Sequence, residues 1–172
     1  MNKLLSAPRL LTLLGALLVL GAVNVTIYGK ERIKSHGEVV YLQLAPVDPR
    51  SLMQGDYMAL RFALVQELEK SLDHSESSAA PSPREGEVRW ASVTLAADHV
   101  AALNSSDGAP ASALRLRYRI RGGHVWLGTN AFFFQEGDAQ RFSGARYGEF
   151  RVDRSSGEAV LVGLRDAALK AL

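Results

Sequence analysis

Cysteine is absent from the chain. That excludes disulfides, thiolate metal sites and a lipid-modified N-terminal cysteine, and it is compatible with an oxidising compartment. Histidine is scarce. His36, His74, His99 and His124 stand in no ligand-like spacing with one another or with an acid, so each reads as a surface or turn residue and no metal site is expected. A glycine-rich phosphate loop is missing, because Gly122-Gly123 has no following lysine or helix. There is no internal repeat and no coiled-coil heptad. No cofactor is implied. A charge excess is also missing, since the formal net charge is only +2. The charges are unevenly placed, however. Residues 30–110 hold 8 Lys/Arg against 12 Asp/Glu, and residues 111–172 hold 10 against 6. Without a nucleic-acid motif, two such halves are expected to face each other and not nucleic acid.

Charge disappears altogether between residues 10 and 29. Twenty helical residues reach about 30 Å, the thickness of a bilayer core. Tyr28 falls where interfacial aromatics are favoured. The rival reading is a cleaved signal peptide. Its best small-residue site ends at Ala22 and has Leu20 where a small residue is wanted, so an uncleaved anchor is favoured. The expected organisation is a cytoplasmic tail at 1–9, a transmembrane anchor at 10–29, a linker at 30–37 and a globular domain at 38–172. Orientation is finely balanced, with Lys3 and Arg9 on one side and Lys30, Arg32 and Lys34 on the other. The short tail favours the N-terminus in the cytoplasm. Asn24 and Thr26 are candidates to hydrogen-bond another membrane helix, or simply to reach the headgroups.

The globular part reads mainly as strands. Residues 38–44 are rich in strand formers. A connector follows in which Asp48 can cap a short helical turn, Pro49 suits its first position and Gly55 its left-handed end. A strand is expected over 57–63. Leu64, Leu68 and Leu72 then repeat at helical spacing. Residues 73–86 are nearly devoid of apolar side chains and read as a mobile loop. Residues 88–95 alternate like a strand, 96–103 suggest a short helix, and 104–112 a turn-rich loop. Residues 114–121 alternate strictly, with Leu114, Leu116, Tyr118 and Ile120 on one face and four arginines on the other. Gly122-Gly123 is a hairpin turn into a strand over 124–134. Asp138 can cap a short helix to about residue 145. Strands over 147–152 and 158–164 and a closing short helix complete the chain. The fold class expected is α+β and β-dominated: one transmembrane helix, then a single antiparallel barrel-like or sandwich domain with short helices.

Residues 55–62, Gly-Asp-Tyr-Met-Ala-Leu-Arg-Phe, carry a signature. They resemble the motif after which the GDYXXLXY family is named. Gly55, Asp56, Tyr57 and Leu60 match, and Phe62 stands where the motif has tyrosine. Residues 45–52 are similar to the usual approach to that motif. Residues 132–137, which include Glu136 and Gly137, and residues 159–164 resemble later family blocks. The resemblance implies a bacterial protein held in the inner membrane by a single span, with an extracytoplasmic, periplasmic domain. It also implies a partner class, multi-pass membrane proteins encoded nearby. It supplies no reaction.

Candidate chemistry is thin. Ser51 before Gly55-Asp56 is similar to Ser-Lys proteases of the signal peptidase type. The spacing is too short, and the lysines beyond the linker, Lys70 and Lys170, lie on no core strand. Asp56 and Glu136 sit beside glycines at strand ends and are an acid/base pair only if they converge. The plainer reading has Asp56 accepting backbone hydrogen bonds in its turn and Glu136 paired with an arginine. No catalytic residue is therefore assigned. The row Arg115, Arg117, Arg119 and Arg121 is the least ordinary feature. Like charges on one strand face repel unless opposite charges lie across the ladder. The row is either a surface for anionic headgroups or an acidic partner, or it is paired with acids of the first half. The expectation is a non-enzymatic, membrane-anchored envelope domain that binds a partner, with an envelope enzyme built on Asp56 and Glu136 as the alternative.

Overall fold

The structure, a computed structural model, describes residues 7–45, 53–54, 57–76, 84–104 and 113–172. The expected capped turn with Asp48, Pro49, Gly55 and Asp56 lies outside these residues, as does Ser51.

Helix α1 runs over Ala7–His36. It is long and apolar enough over Leu10–His36 to cross a membrane. Its leucines and valines stand exposed along the whole run, with no protein surface covering them. Asn24 Nδ2 donates to the Leu20 carbonyl at 2.8 Å and Thr26 Oγ1 to the Ala22 carbonyl at 2.9 Å. Each polar side chain is thus satisfied within its own helix. Residues 30–36, expected as linker, continue the helix. Its last turns pack on the domain: Ile33 is buried, Lys30 pairs with Glu158, and Arg151 Nη1 donates to the Gly37 carbonyl at 3.4 Å. The chain then turns into a strand within one residue. A Cβ on Gly37 would lie 2.4 Å from the Ile33 carbonyl oxygen and 2.9 Å from the Val152 nitrogen, so only glycine fits the junction unstrained.

Three antiparallel sheets form the domain. In the first, β1 (Glu38–Gln43) and β10 (Ala159–Arg165) flank β9 (Tyr147–Val152). Glu38 pairs with Val152 and Gln43 with Tyr147, and β10 carries an irregularity between Leu161 and Gly163. In the second, β2 (Met53–Gln54), β3 (Tyr57–Ala59) and β8 (Ala131–Phe133) lie side by side. The third has the order β5 (Ala101–Leu103), β4 (Val88–Leu95), β6 (Leu114–Arg121), β7 (His124–Trp126). Backbone contacts join the sheets. The Tyr41 N–H donates to the His99 carbonyl at 2.9 Å, the Arg117 N–H to the Gly157 carbonyl at 2.7 Å, and the Ala45 N–H to the Arg61 carbonyl at 2.8 Å. The result is a β-rich α+β fold with a curled half-barrel sheet.

One core fills the space between them. Val40, Leu42, Val93, Leu116, Phe150 and Val152 are almost completely buried. Helix α2 (Ala63–Glu76) closes one side through Leu64 and Leu68, the helical stripe expected from their spacing. Phe142, in the one-turn α3 (Ala139–Phe142), meets Phe132 and Phe134 at ring-centroid distances of 5.1 and 5.4 Å.

Several local expectations are corrected. Residues 96–103 form no helix. A turn through Asp98 and His99, the latter at φ 63°, leads into β5. The strand expected at 57–63 stops at Ala59, because α2 begins at Ala63. The strand expected over 124–134 splits into β7 and β8 around Gly128, whose φ is 107°. Helix α2 enters the segment expected as loop, reaching Glu76. Asp138 stands at the α3 N-terminus but makes no side-chain cap there. The closing helix is a turn instead: Asp166 Oδ1 accepts from the backbone N–H of Ala168 and Lys170, and Ala171 bridges to Arg165.

Candidate functional site

The strict alternation in β6 sorts its side chains as expected. Leu114, Leu116, Tyr118 and Ile120 are buried, Arg117 is half-buried, and Arg115, Arg119 and Arg121 are exposed. The partners across the ladder decide what the arginines can do. On β4, Arg115, Arg117 and Arg119 face Ser92, Trp90 and Val88. On β7, Arg119 and Arg121 face Trp126 and His124. None is acidic. The pairing expected with the acidic first half is therefore not found among the described residues.

The acid that does reach the row comes from the other half. Glu158 Oε1 lies 3.2 Å from Arg117 Nη2 and also accepts from Lys30 Nζ. Lys30 is close enough to Arg117 and Arg119 to be repelled by both. The Arg121 guanidinium sits 5.1 Å from the Trp126 ring centroid, a cation–π contact. Among the described residues, Arg115, Arg119 and Arg121 make no ion pair.

These groups line an open groove of about 700 Å³. Among the described residues, Lys30, Arg117, Arg119 and Arg121 supply four cations and Glu158 the one acid. Leu127, Val160 and Leu161 supply apolar surface. Phe133 forms part of the rim with 75% of its surface exposed. Tyr57 stands directly across the ladder from Phe133, with ring centroids 5.9 Å apart. A surface of this kind can hold a group that is anionic at one end and apolar at the other.

The turn that precedes Glu158 is docked on β6 and β4. The Gly157 carbonyl accepts from Arg117, and Trp90 Nε1 donates to the Ser156 carbonyl at 3.1 Å. Asp153 organises the turn by accepting from the Ser155 N–H and Oγ and from Ser156 Oγ. The Ser155 hydrogen bonds hold its carboxyl below the usual carboxylate range. On the buried face of β6, desolvation pushes the Tyr118 phenol up.

The signature residues divide between core and surface. Leu60 and Phe62 are buried, and the Phe62 ring meets Phe150 edge-on at 5.3 Å. Tyr57 points outward. The family model described as GDYXXLXY protein matches residues 19–164. The chain belongs to the GDYXXLXY family. No curated protein and no solved structure matches it.

In this GDYXXLXY protein the acid/base pair of Asp56 and Glu136 falls partly outside the described residues. Asp56 lies outside them, and Glu136 is exposed on a turn beside Gly137, whose φ is 92°. No described arginine pairs with Glu136. His99 occupies a turn, and His124 is exposed beside Glu69 at 3.4 Å. No group of three or more His, Asp or Glu converges among the described residues. Sequence reasoning missed Lys30, Trp126 and Glu158 as groove residues. It also missed Glu149, buried on β9, which pairs with Arg165 at 2.7 Å through Nε and with Arg151 at 3.7 Å.

Proposed function

We propose that this GDYXXLXY protein is a single-pass bacterial inner-membrane protein. Its periplasmic domain binds a multi-pass membrane protein and carries out no reaction. The observation that carries this reading is the junction of α1 with the domain. Ile33, the Lys30–Glu158 pair and the tight Gly37 turn hold the apolar helix against β9 and β10. A binding surface fixed relative to its anchor loses little orientational freedom when it meets a second membrane protein. The exposed Arg115 end of β6, which does not line the groove, is part of the surface offered. Family membership supports the partner class through the neighbouring multi-pass proteins that the family resemblance implies.

The test is purification of the tagged full chain from its native membrane in mild detergent. A multi-pass membrane protein in near-stoichiometric amount is the expected companion. Recovery of the chain alone overturns the partner reading. Alkaline phosphatase fused after Leu172 should be active, and an inactive fusion overturns the periplasmic placement.

A further inference from the structure

We propose that the groove between β6, β8 and β10 binds the headgroup of an anionic phospholipid drawn from the bilayer that holds α1. Lys30 sets the position. It is the first charged residue after the uncharged run, so it stands where the hydrocarbon core ends. Lys30 also lines the groove, and its contact with Glu158 fixes the groove at that height.

Chemistry then selects the ligand. Glu158 is already shared by Lys30 and Arg117, whereas Arg119 and Arg121 have no ion pair among the described residues. Guanidinium groups bind phosphate through paired N–H donors in a fixed fork. Trp126 and the exposed Phe133 stand beside these cations. Aromatic rings are favoured at the level where headgroup gives way to acyl chain. An acidic peptide would answer the cations but leave the exposed face of Phe133 uncovered. A phospholipid answers both.

The inference rests on the proposed anchoring of α1 in a bilayer, and carbonate extraction of the same chain tests that separately. The full chain is reconstituted in nanodiscs of equal phosphatidylglycerol and phosphatidylcholine, released into mild detergent, and its retained lipids are counted by native mass spectrometry. The wild type should retain phosphatidylglycerol in preference. Cations near an anionic surface each contribute to binding, and replacing both Arg119 and Arg121 with Gln should cut that preference about thirty-fold. Circular dichroism confirms that the double variant is folded. Equal retention of both lipids overturns the proposal. An unchanged preference in the double variant also overturns it, because Arg32 and Lys34 then account for the effect. Displacement of the lipid by inorganic phosphate at equal concentration would show a site for phosphate alone, which is the third contrary result. Failure to find a protein partner leaves this test intact, since it uses the purified chain.

Discussion

Replacing Gly157 with alanine should cost far more than the same change at Gly86. Both glycines are left-handed, at φ 73° and 78°. For a residue with a Cβ that conformation costs about 1–2 kcal/mol. The surroundings differ. A Cβ at Gly86 meets nothing within 4 Å. At Gly157 it would lie 2.7 Å from the Arg115 carbonyl oxygen and 3.1 Å from the Arg117 nitrogen, both backbone atoms that cannot swing aside. The turn must lift instead. Lifting it breaks the bond from Arg117 to the Gly157 carbonyl and the bond from Trp90 to the Ser156 carbonyl. Each is worth about 1 kcal/mol. The expected losses are therefore about 3–4 kcal/mol at Gly157 and about 1–2 kcal/mol at Gly86. Chemical denaturation of the full chain in mild detergent, followed by circular dichroism, measures both. Equal losses would refute the docking of this turn on β6, and with it the position of Glu158 in the groove.

Other perturbations probe separate parts of the molecule. Phe150→Ala empties the middle of the core and should cost about 3–5 kcal/mol by the same denaturation assay. Glu149→Gln leaves Arg165 without its carboxylate. Because both arginine partners are partly exposed, the expected loss is about 1–3 kcal/mol, short of that for a fully buried pair. Asp153 has a lowered carboxyl pKa in the folded chain, so its stabilisation is present above the ordinary carboxylate range and fades as pH falls through the lowered value. The gap in melting temperature between wild type and Asp153→Ala should thus be widest near neutral pH and close in acid, as melts across a pH series would show.

Local pattern was enough for the strands whose alternation is strong. Residues 88–95, 114–121 and 147–152 have the bounds expected of them. In β6 an apolar face and a polar face leave one register that buries the right residues, whereas Trp90 of β4 faces outward with half its surface exposed. Composition misled where tertiary pairing decides. Ala101–Leu103 looks helical, yet it pairs with residues 93–95 of β4. The alanines near the C-terminus favour helix, yet the Asp166 carboxylate captures the backbone N–H groups that a helix would use. The candidate site was half legible. The arginine row announced itself by alternation. Its acid did not, because Lys30 and Glu158 are 128 positions apart and no local pattern joins them. Phe133 sits in a block that resembles the family, but nothing in sequence places it beside Lys30.

The central claim is that α1 and the domain form one rigid unit that holds the groove at the membrane end of the helix. The absence of native cysteine allows spin labels at Val25→Cys and Arg115→Cys with no background sites. The distance between them, measured by double electron–electron resonance on the full chain in nanodiscs, should follow a single narrow distribution. A broad distribution would show the domain swinging on its anchor and would contradict the account.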